Sequence, residues 1–216
     1  MEWAILVIFV LVLLLSYIIV QGTRAALAWR NAAAAGDVKV IRDILEGSIT
    51  AWSSMKRPKE VPPDVWRGVQ SIQLIDVAPA FVRVSCHAQS EYKMYEGRWI
   101  EIRNPLQEGM AIGAKTAEML LYELPHFRPD SVQVDVYTSF RNDEGPTNIE
   151  CVLSIETDRE TARQIDWDEW SGNEIIDRLG ARYRLGERGQ PLPIEVEPPP
   201  SRDDVESEVA EAGAAS

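Results

Sequence analysis

Hydrophobic positions run unbroken at the start of the chain, take on helical spacing after it, and alternate strand-like further on. From Trp3 to Val20, WAILVIFVLVLLLSYIIV carries no charge over eighteen positions. As a helix this stretch is about 27 Å long, enough to cross a hydrocarbon core. Beyond it, TRAALAWRNAAAAG predicts a helix that Gly36 ends, and Asp37 is placed to cap the next. In that second helix Val40, Ile41, Ile44, Leu45, Ala51 and Trp52 approximate one apolar face. Pro58, Pro62 and Pro63 then block helix continuation.

After the prolines the period changes to two. SIQLIDV (71–77) predicts a strand, and AFVRVSCHAQSEY predicts a long alternating one, with Val82, Val84, Cys86 and Ala88 on one face and Arg83, Ser85, His87 and Gln89 on the other. RWIEIR (98–103) returns as a third strand across a turn at Glu96-Gly97. Asn104-Pro105 supplies a cap and first-turn proline for a helix to about Glu123. SVQVDVYTSF and IECVLSIET form a strand pair around the polar loop RNDEGPTN. Val132, Val134, Val136, Thr138 and Phe140 are expected on the core face of one, and Ile149, Cys151, Leu153 and Ile155 on the core face of the other. Asp166 and Glu169 have capping-box spacing for a last helix carrying Trp170, Ile175, Ile176 and Leu179, which Gly180 stops.

The order β-β-β-α-β-β-α predicts an α+β fold, a small, mostly antiparallel sheet with helices packed on one side. The expected organisation is a transmembrane anchor (1–22), a stalk of two helices (23–57), a proline-rich linker (58–70), the α+β domain (71–186) and a disordered acidic tail (187–216). AAAAGDVKVIRDILEGS looks like the helical core of an ankyrin repeat, but it never recurs and lacks the preceding turn. It reads as an ordinary helix pair.

Charge refines the placement. The formal net charge is −12, and from Pro191 onward seven acidic side chains face Arg202 alone. That tail has no aromatic residue with which to build a core. Nothing here attracts nucleic acid electrostatically. Before the apolar run there is no Lys or Arg, whereas Arg24, Arg30, Lys39 and Arg42 follow it. An uncleaved anchor fits better than a signal peptide, whose basic leader is missing. The basic excess favours an inner-membrane protein with its C-terminal domain in the cytoplasm.

GAKT (113–116) has the ending of a phosphate-binding P-loop. The required glycine before the lysine is Ala114, and the stretch lies inside a helix whose amides are already bonded. Gly109, Gly113 and Ala117 instead make a small-residue stripe for close packing on a sheet, a more economical account than association between chains, although a homo-oligomer stays open. Cys86, His87, His126 and Cys151 are zinc-type residues, yet adjacent strand residues point to opposite faces. The nuclease-like Pro129-Asp130, Asp135 and Glu150 lack the lysine that should follow Glu150 by two positions. The acidic cluster from Glu156 to Glu169 lacks EF-hand spacing. No cofactor, metal or nucleophilic triad is expected.

The expected interaction surface is a patch of His87, Asp135, Tyr137 and Glu150, with Gln133, Val152 and Ser154, on the outward face of the sheet. The leading expectation is therefore a membrane-anchored scaffold or adaptor with a protein partner, held to the membrane by residues 3–20. The alternatives are an anchored hydrolytic enzyme, or an extracytoplasmic binding module that a Cys86–Cys151 disulfide would support.

Overall fold

The computed structural model describes residues 2–140, 148–167 and 169–196. Helix α1 (Glu2–Ala34) is continuous through the apolar run and the alanine-rich stretch, about 50 Å at the usual rise. Among the described residues it is the one helix long and apolar enough to cross a membrane. Its side chains from Phe9 to Val20 are exposed, so none of the other described residues covers them.

At Gly36 the backbone turns left-handed, φ 80°, and the Asp37 carboxylate accepts hydrogen bonds from the amides of Lys39 and Val40 at 3.0 and 3.2 Å. That cap starts α2 (Val38–Ser54). Its buried Ile41, Ile44, Leu45, Ser48 and Trp52 recur every three or four residues, so α2 joins the main hydrophobic core. A free-standing stalk would leave that stripe in water.

The segment 58–70, read above as a linker, holds α3 (Pro63–Val69), with Val65, Trp66 and Val69 buried. Its prolines do stop α2, as expected, but Pro63 also stands in the first turn, where its missing amide costs nothing. Trp66 Nε1 donates to Met55 O at 3.4 Å and Gln70 Nε2 to Ser53 O at 3.0 Å, tying α3 to the end of α2.

The main sheet begins with β1 (Gln73–Ala78) antiparallel to β2 (Phe81–His87). The predicted long strand from residue 80 breaks after His87 and resumes as β3 (Glu91–Tyr95), which pairs with β4 (Arg98–Arg103) in a separate ribbon. Glu96 and Gly97 both have positive φ, 49° and 77°, which is what a tight hairpin turn requires. Helix α4 (Pro105–Tyr122) then crosses back to β5 (Ser131–Phe140), which lies parallel to β2. β5 pairs antiparallel with β6 (Asn148–Asp158), and β7 (Arg182–Leu185) and β8 (Pro191–Leu192) complete the order β1-β2-β5-β6-β7-β8. The fold is thus the α+β class expected, with a mostly antiparallel sheet carrying one parallel pair at its centre.

The small-residue stripe sets the depth of α4. A Cβ at Gly109 would stand 3.1 Å from Val136 Cγ1, and one at Gly113 would strike Ile155 Cδ1. Below α4 lie Val82, Val84 and Cys86 of β2, Val132, Val134 and Val136 of β5, and Leu153 and Ile155 of β6, all buried. α3 flanks α4 through Gly68 against Ile112, and α5 (Gly172–Leu179) flanks it through Gly172 against Ala111.

The last helix departs from expectation at its start. Asp166 does accept from the Glu169 amide at 3.2 Å, but the capping box belongs to Ser171 and Glu174, and Trp170 stays outside the core. Both pairs have the right spacing, and only the second is followed at once by the buried Ile175, Ile176 and Leu179. Gly180 ends the helix left-handed, as expected. Residues 187–196, assigned above to the tail, are held to the sheet by β8 and by the Ile194 amide donating to Cys151 O at 2.9 Å. The loop at 141–147 and the remainder of the tail, 197–216, lie outside the described residues.

Candidate functional site: a cleft around Glu108

The parallel step from β2 to β5 requires a crossover, and its first part opens a cleft beyond the carboxyl end of β2. The cleft measures about 290 Å³. Asp64, Arg67, Gly68 and Ser71 line it from α3 and the following turn, His87, Gln89, Ser90 and Glu91 from the end of β2 to the start of β3, and Glu108 and Ile112 from α4. Gly68 brings α3 against Ile112 where any side chain would collide, so the wall between the two helices is close and fixed. Ser71 is committed to structure: its hydroxyl accepts from the His87 amide at 2.8 Å and donates to Gly68 O at 2.6 Å.

Glu108 is the unusual member. It follows the capping box in which Asn104 and Gln107 bond each other's backbone amides, and its side chain is 2 % exposed. Arg103, at the end of β4, donates from Nη1 to Glu108 Oε2 at 3.3 Å. Oε1 is buried without a hydrogen-bond partner. Burial pushes the Glu108 carboxyl above the ordinary glutamate range, and the Arg103 hydrogen bond and charge only partly oppose this. An unmatched buried acceptor of this kind costs about 1–3 kcal/mol.

The surrounding charges are Asp64, paired with Arg67 at 2.9 Å, and Glu91, 3.9 Å from Arg103 Nε. Three carboxylates thus line the cleft with Arg67 as the one permanent cation among its lining residues. No Phe, Tyr or Trp ring lines it.

The residues expected to form a patch divide. His87 lines this cleft and pairs in register with Tyr137. Asp135, expected on an open face, is 1 % exposed. Its Oδ2 accepts from Arg83 Nε at 2.7 Å and its Oδ1 from Ser154 Oγ at 2.7 Å and Gln133 Nε2 at 3.0 Å. It is thus fully engaged in a network across the central strands. Burial leads the causes raising the Tyr137 hydroxyl, with Cys151 and Asp135 adding to it. Glu150 pairs with Thr138, one residue beyond Tyr137, and so belongs to the opposite face.

The cause is a register shift between Val136 and Tyr137, where Val136 faces Leu153 and Tyr137 faces Cys151. Val152 is the extra residue, and past such a bulge the inside-outside alternation inverts. Cys151 consequently joins the Tyr137 face. Both cysteines are free and buried. Cys86 pairs with Val136 and Cys151 with Tyr137 on either side of β5. Two strand spacings, roughly 9.5 Å, exceed the reach of a disulfide. Among the described residues no group of three or more His, Cys, Asp or Glu could hold a metal ion.

Sequence reading missed Glu108 because a carboxylate in a helix's first turn is ordinarily a solvated partner of the helix dipole. The available signal was its place in an i, i+4 row with Ile112 and Thr116, all now buried.

Beside the cleft the β3–β4 ribbon presents large apolar side chains to solvent. Tyr92, Met94, Tyr95, Trp99, Ile100 and Ile102 are all exposed, Trp99 by 67 %. Glu91 and Arg103, at the base of the ribbon, connect it to the cleft through the ion pairs above.

Against family models, curated proteins and solved structures, the chain has no match. The architecture defines the class: an α+β domain behind one long apolar N-terminal helix.

Proposed function

We propose that the protein is a single-pass, inner-membrane adaptor whose α+β domain lies in the cytoplasm and receives a protein partner on the β3–β4 ribbon and the adjoining cleft. The observation that carries this reading is the ribbon itself. A two-stranded ribbon is marginally stable in water; Tyr92, Met94 and Trp99 share one of its faces and Tyr95 and Ile100 the other, and exposed Trp, Tyr, Met and Ile gathered on so small an element mark an interaction surface rather than ordinary exterior.

Its position supports the reading. Glu108 and Tyr122 sit near opposite ends of α4, about 21 Å apart along the axis, and Tyr122 shares a groove with Arg30, Ala33 and Ala34 of α1. The ribbon therefore projects from the end of the domain remote from the exit of α1, where a soluble or membrane-bound partner can reach it. Binding would cover the aromatic face and use the cleft as a specific pocket beside it.

Two measurements test this. Protease treatment of a C-terminal epitope in intact cells and in inverted vesicles should give protection in cells and cleavage in vesicles. A photo-crosslinking residue in place of Trp99, in the full-length membrane-borne chain, should give a discrete adduct that one in place of Val38, on the exposed side of α2, does not. The reverse protease pattern, or equal adducts at both positions, overturns the proposal.

A further inference from the structure

The Glu108 cleft has a chemistry of its own beyond the apolar ribbon. We propose that it is a recognition pocket for a basic side chain, a lysine or arginine of the partner, whose nitrogen donates to Glu108 Oε1. This rests on the adaptor reading for the identity of the ligand's bearer, though not for the chemistry of the pocket.

Four observations point the same way. The buried Oε1 is an acceptor without a donor, and a carboxylate there has no use for another acceptor or an anion. Asp64 and Glu91 add negative charge from the facing walls, with Arg67 paired to Asp64 and Arg103 reaching Glu91 and Glu108 from the rim. The volume, about 290 Å³, suits one extended side chain rather than a cofactor. The lining offers carboxylates and no Phe, Tyr or Trp ring to cage a methylated cation, which selects a hydrogen-bonding ammonium or guanidinium.

The positive end of α4 does not reverse this preference. Pro105 has no amide hydrogen, the Gln107 amide donates to Asn104 Oδ1 and the Glu108 amide to Asn104 O, and Glu108 itself supplies the negative charge that the helix end favours. A ligand cation would also favour the ionised form of Glu108, so binding strengthens as pH rises through that group's raised titration range. The other charged and titratable groups facing the pocket are Asp64, Arg67, His87 and Glu91, with Arg103 at its rim.

The test uses the full-length protein in nanodiscs and two probes, Nα-acetyl-lysine methylamide and its uncharged counterpart Nα-acetyl-norleucine methylamide. Saturation transfer from protein to the lysine side-chain methylenes should be seen, with little to norleucine. Glu108→Gln should weaken lysine binding by about thirtyfold or more, the cost of removing one partner of a desolvated charge pair, while Glu46→Gln, exposed on α2, leaves it unchanged. Equal transfer to both probes overturns the pocket on the wild-type protein alone, whatever the folding of the variant. Adducts at Trp99 that persist in Glu108→Gln, from a partner with no basic residue at the contact, keep the adaptor and remove this pocket. Lysine binding without any adduct at Trp99 keeps the pocket and removes the adaptor.

Discussion

Arg83 and Asp135 lie side by side on the two parallel strands at the centre of the sheet, Nε to Oδ2 2.7 Å, with side chains 7 % and 1 % exposed. Such a pair is held by geometry as much as by charge, since desolvation offsets most of the attraction. Ser154 and Gln133 complete the acceptor side of Asp135. Asp135→Ala should destabilise the domain by about 3–5 kcal/mol, because it removes one partner of a buried ion pair. Arg83→Met with Asp135→Leu should recover most of that loss. Denaturant titration of both variants decides whether the pair is a structural clamp. An Asp135→Ala chain as stable as the wild type would return Asp135 to the candidates for surface recognition.

That pair also shows where the sequence stopped being legible. Alternation places Arg83 and Asp135 on the face away from α4, but here polarity does not mean exposure. Two opposite charges on adjacent strands bury each other, and adjacency of β2 and β5 depends on a crossover that no local pattern announces. Likewise, the alternation of β6 was read without its bulge, so Cys151 and Glu150 exchanged faces. Helix caps and the stripe on α4 were readable because Asn104, Asp37, Gly109 and Gly113 act through neighbours in sequence or through size alone.

Gly113→Ala puts a methyl group against Ile155 Cδ1, with Val136 Cγ2 3.6 Å away. Overpacking of this kind costs about 1–3 kcal/mol. Shortening the opposing side chain, Ile155→Val, should restore part of the stability in the double variant although it is destabilising alone. Additive losses in a double-mutant cycle would mean that α4 does not rest on β6 at this point.

Trp66 decides whether the proline-rich segment belongs to the core. It is 4 % exposed, and Trp66→Ala should cost about 3–5 kcal/mol. Lys59→Ala, on the exposed part of the same segment, should change stability by no more than about 0.5 kcal/mol. Equal, small effects would restore the reading of 58–70 as a simple connector.

The two thiols are inert in the folded protein for the same reason. Burial pushes the Cys86 thiol far above its ordinary value, and the Cys151 thiol up to about 12, with the Asp135 charge adding to burial. At pH 8 roughly one Cys151 in ten thousand is then thiolate. Maleimide labelling of the native chain should be negligible at both positions and complete in denaturant. Rapid native labelling would show that the β5–β6 region opens.

Glu108 gives stability a pH dependence of definite sign. Its folded carboxyl titrates above the unfolded one, chiefly through burial, so between the two values the native state binds more protons than the unfolded chain. Stability contributed by this group is present below the ordinary glutamate range and is lost as pH rises through the raised folded value. Glu174 has the opposite sign, because the Ser171 hydroxyl and amide hold its carboxyl below the ordinary range; what it contributes is lost as pH falls through that lowered value. Subtracting the curve of Glu108→Gln from that of the wild type cancels Glu174 and the other shared contributions. The difference should therefore shift against the wild type with rising pH, and saturating Nα-acetyl-lysine methylamide should reduce that shift by supplying the donor that Oε1 lacks. A flat difference would mean that Glu108 is solvated in the folded protein, and that the cleft makes no demand for a cation.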